Sequence, residues 1–455
     1  MAASKTVNIT ALIDERGFGR FQLAVAAWCA GLVIIDGFDI GNIAYVVPVL
    51  APLWGVSPAG FGPVFLSTLV GVFFGTLLAG PLADRFGRKR VVLSAVLLFG
   101  GFALATVLVS GIAAFIALRF CTGLGIGALM PISIALTAEY APKRLRTTVT
   151  AIMFLGFPLG VGSGGFIAAE VIPAYGWQAM FVLGGGLPLL LLPFAALALP
   201  ESIRFLVVRG DRPALAARLL NRLVGRAEFS GDETYTIAEE RTRGFPVKQL
   251  FADGRGTNTT LLWSAFFCNL LVVYCLNAWL PTVLRETGVP LATTFRLTGA
   301  LSWGGVAAIL ALGPVVDRLG APLVVTCLFL GGALCVFGIG LSGSNVTSLA
   351  VTIVLCGGCI TAGQSFCNIL AATLYPTTIR STGVSWALGV GRAGTLLGPP
   401  AGSLMLAAQF TPAAIFFSAA LPAVIAATAM VLLGRRLRAP PPLPREAMAA
   451  SREAP

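Results

Sequence analysis

GPLADRFGRKR, Gly80–Arg90, returns in altered form as GPVVDRLGAPL, Gly313–Leu323. Gly, Pro, Asp, Arg and Gly coincide at one offset, 313 − 80 = 233. A second pair, AEYAPKRLRTTVTA from Ala138 and ATLYPTTIRSTGVS from Ala372, sets Pro142 over Pro376 and Arg146 over Arg380, each 234 apart. Two matches at nearly the same spacing mean that the second half of the chain copies the first.

Composition says what is copied. Of 455 residues, 57% are hydrophobic and 11% charged, where a soluble protein carries about 25% charged residues. The apolar residues fall in long blocks with the charges between them, which marks a polytopic membrane protein. Blocks long enough to cross ~30 Å of hydrocarbon occur at 21–47, 60–83, 91–110, 112–138, 147–171 and 177–199, then at 259–284, 292–316, 321–342, 346–374, 381–408 and 411–434. The expected organisation is an N-terminal segment 1–20, a six-helix bundle 21–199, a polar central loop 200–258, a second bundle 259–434 and a Pro-rich, disordered tail 435–455. Residues 1–20 have no apolar core, so no cleavable signal peptide is expected.

Lysine and arginine set the orientation. Arg85, Arg88, Lys89 and Arg90 follow span two, Lys143, Arg144 and Arg146 follow span four, and Arg435, Arg436 and Arg438 follow span twelve. The central loop adds ten more, whereas the connections at 48–59, 109–113, 171–177 and 341–346 have none. Only Arg285 and Arg296 break the pattern. Both termini and the central loop are therefore expected in the cytoplasm. This rule accounts for the net charge of +12, and no nucleic-acid partner is implied. Parallel six-helix repeats imply two bundles about an axis along the membrane normal, with a site between them near mid-depth.

The motifs resemble those of the major facilitator superfamily. Gly80-x-x-x-Asp84-Arg85-x-Gly87-Arg88-Lys89 is similar to its signature loop between helices two and three, which the resemblance makes a cytoplasmic latch. The second copy has Ala321 and Pro322 where the basic residues stand. Arg119 followed by Gly123, Gly125 and Gly127 matches a pattern associated in that family with proton coupling. Inside an apolar span these glycines read as close helix packing, not as a dinucleotide turn, which must follow a strand. GFPLGVGSGG, Gly156–Gly165, resembles the glycine motif of drug antiporters but has Val161 in place of its proline. Asp36-Gly37-Phe38-Asp39, with the stretch Tyr375–Gly402, resembles the aromatic acid:proton symporters within the superfamily. That resemblance implies the major facilitator fold, all-α with twelve transmembrane helices in two six-helix repeats.

Charges inside the spans are the candidate site. Asp36 and Asp39 lie three residues apart on one helix face, and a charge at mid-bilayer costs about 3 kcal/mol on insertion scales. Asp39 and Arg119 sit at similar depth, and the fold that the resemblance implies sets spans one and four side by side. A pair would lower the cost of both charges. Asp36 has no partner at its level. With no histidine in the chain, any proton carrier must be a carboxylate: Asp36, Asp39 or Glu139. Arg392, about 18 Å into span eleven, offers a planar fork for a substrate carboxylate or a link in the gating network. Phe38, Tyr45, Trp279, Trp303 and Trp386 are candidate apolar walls, and packing residues otherwise. Arg146 and Arg380 are expected to pair with the latch acids Asp84 and Asp317 or with helix C-termini. Cys356-x-x-Cys359 reads as helix packing, without histidine or a second pair to make a metal site.

The leading expectation is a proton-coupled importer of a benzoate- or hydroxybenzoate-like acid, working as a monomer in a bacterial-type inner membrane. Proton is the coupling ion and no other cofactor is expected. Import of another small acid such as a dicarboxylate, drug:proton antiport, and a sensor with a transporter body are the alternatives. An enzyme is disfavoured, because no span carries a metal cluster, nucleophile triad or nucleotide loop.

Overall fold

The computed structural model describes residues 6–210, 212–231, 233–236, 246–252, 254–375 and 379–438, with every side chain in them but those of Asp317, Ala372, Arg380, Ser381 and Arg438. Among the described residues, eleven helices are long and apolar enough to cross a bilayer. In the first half they are Arg20–Trp54, Pro58–Phe86, Arg88–Leu108, Ile112–Tyr140, Arg146–Tyr175 and Gln178–Ala198. The second half has the helices Gly256–Glu286, Leu291–Leu319, Ala321–Ser342, Val346–Leu374, Arg380–Ala407 and Pro412–Arg438. Span eleven, Arg380–Ala407, is the helix that falls short in apolarity: glycines, hydroxyl residues and Arg392 dilute it.

Several ends move from their expected positions. Span one runs to Trp54 through Pro48 and Pro52, because a membrane helix whose neighbours satisfy the freed carbonyls tolerates proline. Span five is two helices, Arg146–Phe154 and Gly156–Tyr175, joined at Leu155. Span twelve takes in Arg435 and Arg436, which the sequence assigned to the tail. The tail beyond Arg438, and Pro376 of the second repeat match, lie outside the described residues.

Packing repeats with the sequence. Within the first half span two packs on four, one on five and six, and three on four and six. Within the second half eight packs on ten, seven on eleven and twelve, and nine on ten and twelve, which is the same scheme six helices later. The halves meet where five touches eight, two touches eleven and one touches seven.

The central segment, read from sequence as a polar loop, contains folded elements. Ser202 caps the helix Ile203–Arg209 by accepting the Phe205 N–H. An amphipathic helix, Pro213–Val224, buries Ala216, Ala217, Leu220 and Leu223 against the basic end of the first bundle. Thr234–Thr236 pairs in parallel with Thr6–Asn8. Its charges mask this pattern, because five arginines between 204 and 222 dominate the composition.

Three apolar clusters define the conformation. One lies at the end opposite the basic loops and joins both halves, through Tyr45, Val47, Phe61 and Phe65 on one side and Trp279, Val283 and Phe295 on the other. The other two lie toward the basic end, and each is confined to a single half. The bundles therefore close against each other at the far end and part at the basic end. At the closed end Phe65 stacks at a tilt on Trp279, centroids 5.2 Å apart, and Ser403 donates to the Ala59 carbonyl at 2.7 Å.

Candidate functional site

Asp39 and Arg119 come together in the interior of the first bundle. The guanidinium donates to Asp39 Oδ2 at 2.9 Å and to Oδ1 at 3.3 Å, a bidentate pair, and both side chains are 0% exposed. A second donation, to the Asp39 backbone carbonyl at 3.4 Å, and the Phe181 ring 5.8 Å away complete the arginine's surroundings. Only its Nε lacks a partner. Glycine makes the room: a Cβ at Gly184 of span six would press on Asp39 Oδ1 and Asn42 Nδ2. Asn42 donates to the Met180 carbonyl at 3.1 Å and holds spans one and six together beside the pair.

Asp36, one helical turn away, is buried and its Oδ1 has no hydrogen-bond partner. Half-buried Tyr274 of span seven lies within electrostatic reach of both Asp36 and Arg392. Arg392 is exposed, and it makes no ion pair among the described residues. The interior thus holds a neutralised pair, a solitary acid, and an available arginine on the opposite half.

The glycines of span four pack rather than bind. A Cβ at Gly123 or Gly127 would strike span two at the Thr68 or Val72 carbonyl, and one at Gly125 would strike span three near Ala95 and Phe99.

Other candidates fall elsewhere. Glu139 is twenty residues beyond Arg119 on the same helix, about 30 Å along its axis, and so cannot share a proton directly with Asp36. It instead accepts the Ser202 hydroxyl and pairs with Arg88 Nε at 3.4 Å. Tyr45 is packed away from any open space, its hydroxyl on the Val161 carbonyl at 3.1 Å and its ring edge-on to Phe295. Phe38 is buried against the glycine face of spans five and six. Trp386 stacks on Trp263, 5.8 Å between centroids. Six residues at about 100° each put it some 120° around the helix from Arg392, so the two do not share a wall. Trp279 closes the far end, donating to the Pro399 carbonyl at 2.7 Å.

At the basic end Arg88 is the hub. It reaches Asp84 at 3.2 Å, Glu139, and the Phe205 ring at 5.8 Å. Asp84 therefore pairs within its own turn and not with Arg146, because Arg88 is four residues on; Arg146 makes no ion pair among the described residues. Arg85 lies over Phe86, and its carbonyl accepts from Arg209. Gly87 has φ +99°, and a Cβ there would meet the Glu201 carboxylate, so glycine is required twice over. Gly80 borders open space. The side chains of Asp317 and Arg380 lie outside the described residues.

Sequence reasoning passed over Asn269, whose amide donates to Gln364 Oε1 at 2.9 Å and to the Ile360 carbonyl at 3.1 Å. The repeat offset pointed to it, since 269 − 36 = 233 makes Asn269 the counterpart of Asp36. It also passed over Glu170–Arg296, an ion pair joining spans five and eight, which gives Arg296, one of the two arginines on that side, a partner there.

The comparisons agree with this architecture. The Major Facilitator Superfamily model matches residues 29–299 and 262–454. The chain is similar to the 4-hydroxybenzoate transporter PcaK of Pseudomonas putida, 37% identical over 438 residues that cover 95% of this chain and 97% of that one. It is also similar to the gallate transporter of Pseudomonas putida, 37% identical over 437 residues covering 96% and 97%. Among solved structures, the D-xylose-proton symporter superposes with a TM-score of 0.69 at 18% identity, over 91% of this chain and 97% of that one. The chain belongs to the Major Facilitator Superfamily and is a multi-pass membrane transporter.

Proposed function

We propose that the protein imports a benzoate-like aromatic carboxylate together with protons, by alternating access between the two bundles. The observation that carries the reading is buried Asp36, its Oδ1 without a partner, beside the bidentate Asp39–Arg119 pair. The names of the relatives supply the substrate class.

Arg119 occupies both carboxylate oxygens of Asp39 with hydrogen bonds, so Asp36 is the acid of the two left open to exchange a proton. In its ionised form Asp36 repels an incoming carboxylate, and in its protonated form it does not. Arg392 then anchors the anion from the other half, with Tyr274 within reach of both. Two like charges about 6 Å apart at an effective dielectric of 20 repel by about 3 kcal/mol, enough to order the binding events proton first. With the basic end in the cytoplasm by its charges, the parted end is the inward opening. The proposed location is the cell inner membrane with both termini cytoplasmic, and the proposed working unit is one chain, because it carries both halves of the gate.

Uptake of labelled 4-hydroxybenzoate, gallate and benzoate into cells, with and without a protonophore, tests this. Accumulation of at least one acid that collapses with the protonophore is expected. Uptake that ignores the protonophore, or accumulation of none of the three, overturns the reading.

A further inference from the structure

At the basic end, between spans three and six and the two central-segment helices, a cavity of about 390 Å³ falls within the roughly 300–1,000 Å³ of small-ligand sites. Lys89, Arg90, Arg209, Arg212, Arg218 and Arg222 line it, with Glu201 as the one acid. Glu201 is already engaged, accepting the backbone N–H of Lys89 at 3.1 Å and of Ser202 at 2.9 Å. Among the described residues, Arg90, Arg212, Arg218 and Arg222 make no ion pair.

Positive charge at this end serves topology wherever it is placed. Topology does not explain why the charges converge on one concavity. The amphipathic helix Pro213–Val224 brings them there: Leu215, Arg218, Leu219 and Arg222 follow the i, i+3, i+4, i+7 spacing of one face and all line the cavity. Its other face is buried in the bundle.

Below the charges the wall turns apolar and opens sideways. Leu197, 82% exposed, and Phe86 form the lip. Leu190, Phe194 and Leu197 continue as exposed i, i+4, i+7 residues along span six, and Leu93 and Leu97 run beside them on span three. A multiply cationic concavity above an apolar seam matches an amphiphile with a phosphate head and acyl tails. A soluble anion would gain nothing from the seam.

We infer that this cavity binds the phosphate headgroup of an anionic phospholipid, with its acyl chains along spans three and six. The bound phosphate faces Lys89, at the start of span three, and Glu201, which accepts the Lys89 backbone N–H, so the lipid sits beside the basic-end gate.

The test uses the purified full-length chain in detergent. Binding of phosphatidylglycerol and of phosphatidylcholine is measured by native mass spectrometry, with inorganic phosphate as competitor. Phosphatidylglycerol should bind and phosphatidylcholine should not. Arg218→Gln and Arg222→Gln should each weaken phosphatidylglycerol binding about fivefold, the effect of one surface cation, while Arg218→Lys/Arg222→Lys keeps it. Thermal stability in detergent confirms that each variant is folded, and two separate single variants guard against one failing to fold. Equal binding of the two lipids, or unchanged phosphatidylglycerol affinity in the folded Gln variants, overturns the inference. Displacement of the lipid by millimolar phosphate also overturns it, in favour of a soluble-anion site.

Discussion

Removing one charge from the Asp39–Arg119 pair tests the interior electrostatics, because its two partners fail in different ways. Asp39→Asn leaves the Arg119 guanidinium at 0% exposure with no counter-charge. Arginine cannot shed its proton, and breaking a buried pair in this way costs roughly 3–5 kcal/mol. Arg119→Gln leaves Asp39 alone, but a carboxyl can neutralise itself by taking up a proton. The remaining loss is the hydrogen bonds and the contact with Phe181 at 5.8 Å, the latter about 0.5–2 kcal/mol. Asp39→Asn should therefore be the more damaging change. The double variant Asp39→Asn/Arg119→Gln removes both charges of the pair, and should be more stable than Asp39→Asn alone. Unfolding of purified protein in mixed micelles, titrated with a denaturing detergent, reads all four corners of the cycle. Stabilities that add independently, or an Asp39→Asn protein within about 0.5 kcal/mol of the parent, would refute the argument.

Arg88→Ala removes the hub that joins Asp84, Glu139 and Phe205; loss of charged hydrogen bonds of about 1.5–3 kcal/mol should raise protease cleavage in the basic-end loops, and an unchanged digestion pattern counts against it. Glu170→Gln frees Arg296 across the far-end seam; an exposed pair of up to ~1 kcal/mol should shift labelling of a far-end cysteine reporter by no more than about fivefold, toward opening, and a shift toward closing contradicts the assignment. Gly160→Val drives a side chain into the Ile34 carbonyl and the Phe38 backbone; overpacking of about 1–3 kcal/mol should lower thermal stability, and a neutral effect would mean that spans one and five do not touch there.

How much of this was legible in the sequence depended on the kind of signal. Apolar block length and the repeat offset are summed over many residues, so twelve long helices in two matched sets of six are readable from the chain alone. Depth along a helix is readable too, as a count of residues from an end, and it puts Asp39 level with Arg119. Direction around a helix is harder to read than depth: about 120° of rotation parts Trp386 from Arg392. Glu139 is an acid in a span like Asp36, yet about 30 Å of helix separates it from Arg119. The helix Pro213–Val224 has a 3.6-residue apolar period in plain view, but arginines at 212, 218 and 222 make the segment read as a loop. Asn269 carries no charge, and only its register with Asp36 marks it. Closure at one end is beyond sequence, since it rests on contacts between halves such as Phe65–Trp279.

Asp36 as the proton carrier is the centre of the account, and proteoliposomes containing the Asp36→Asn protein test it most directly. With labelled 4-hydroxybenzoate and an imposed pH gradient, the variant should exchange substrate across the membrane at a rate comparable to the parent yet fail to concentrate it. Concentration of substrate by Asp36→Asn to the parent's level under the same gradient would contradict the account.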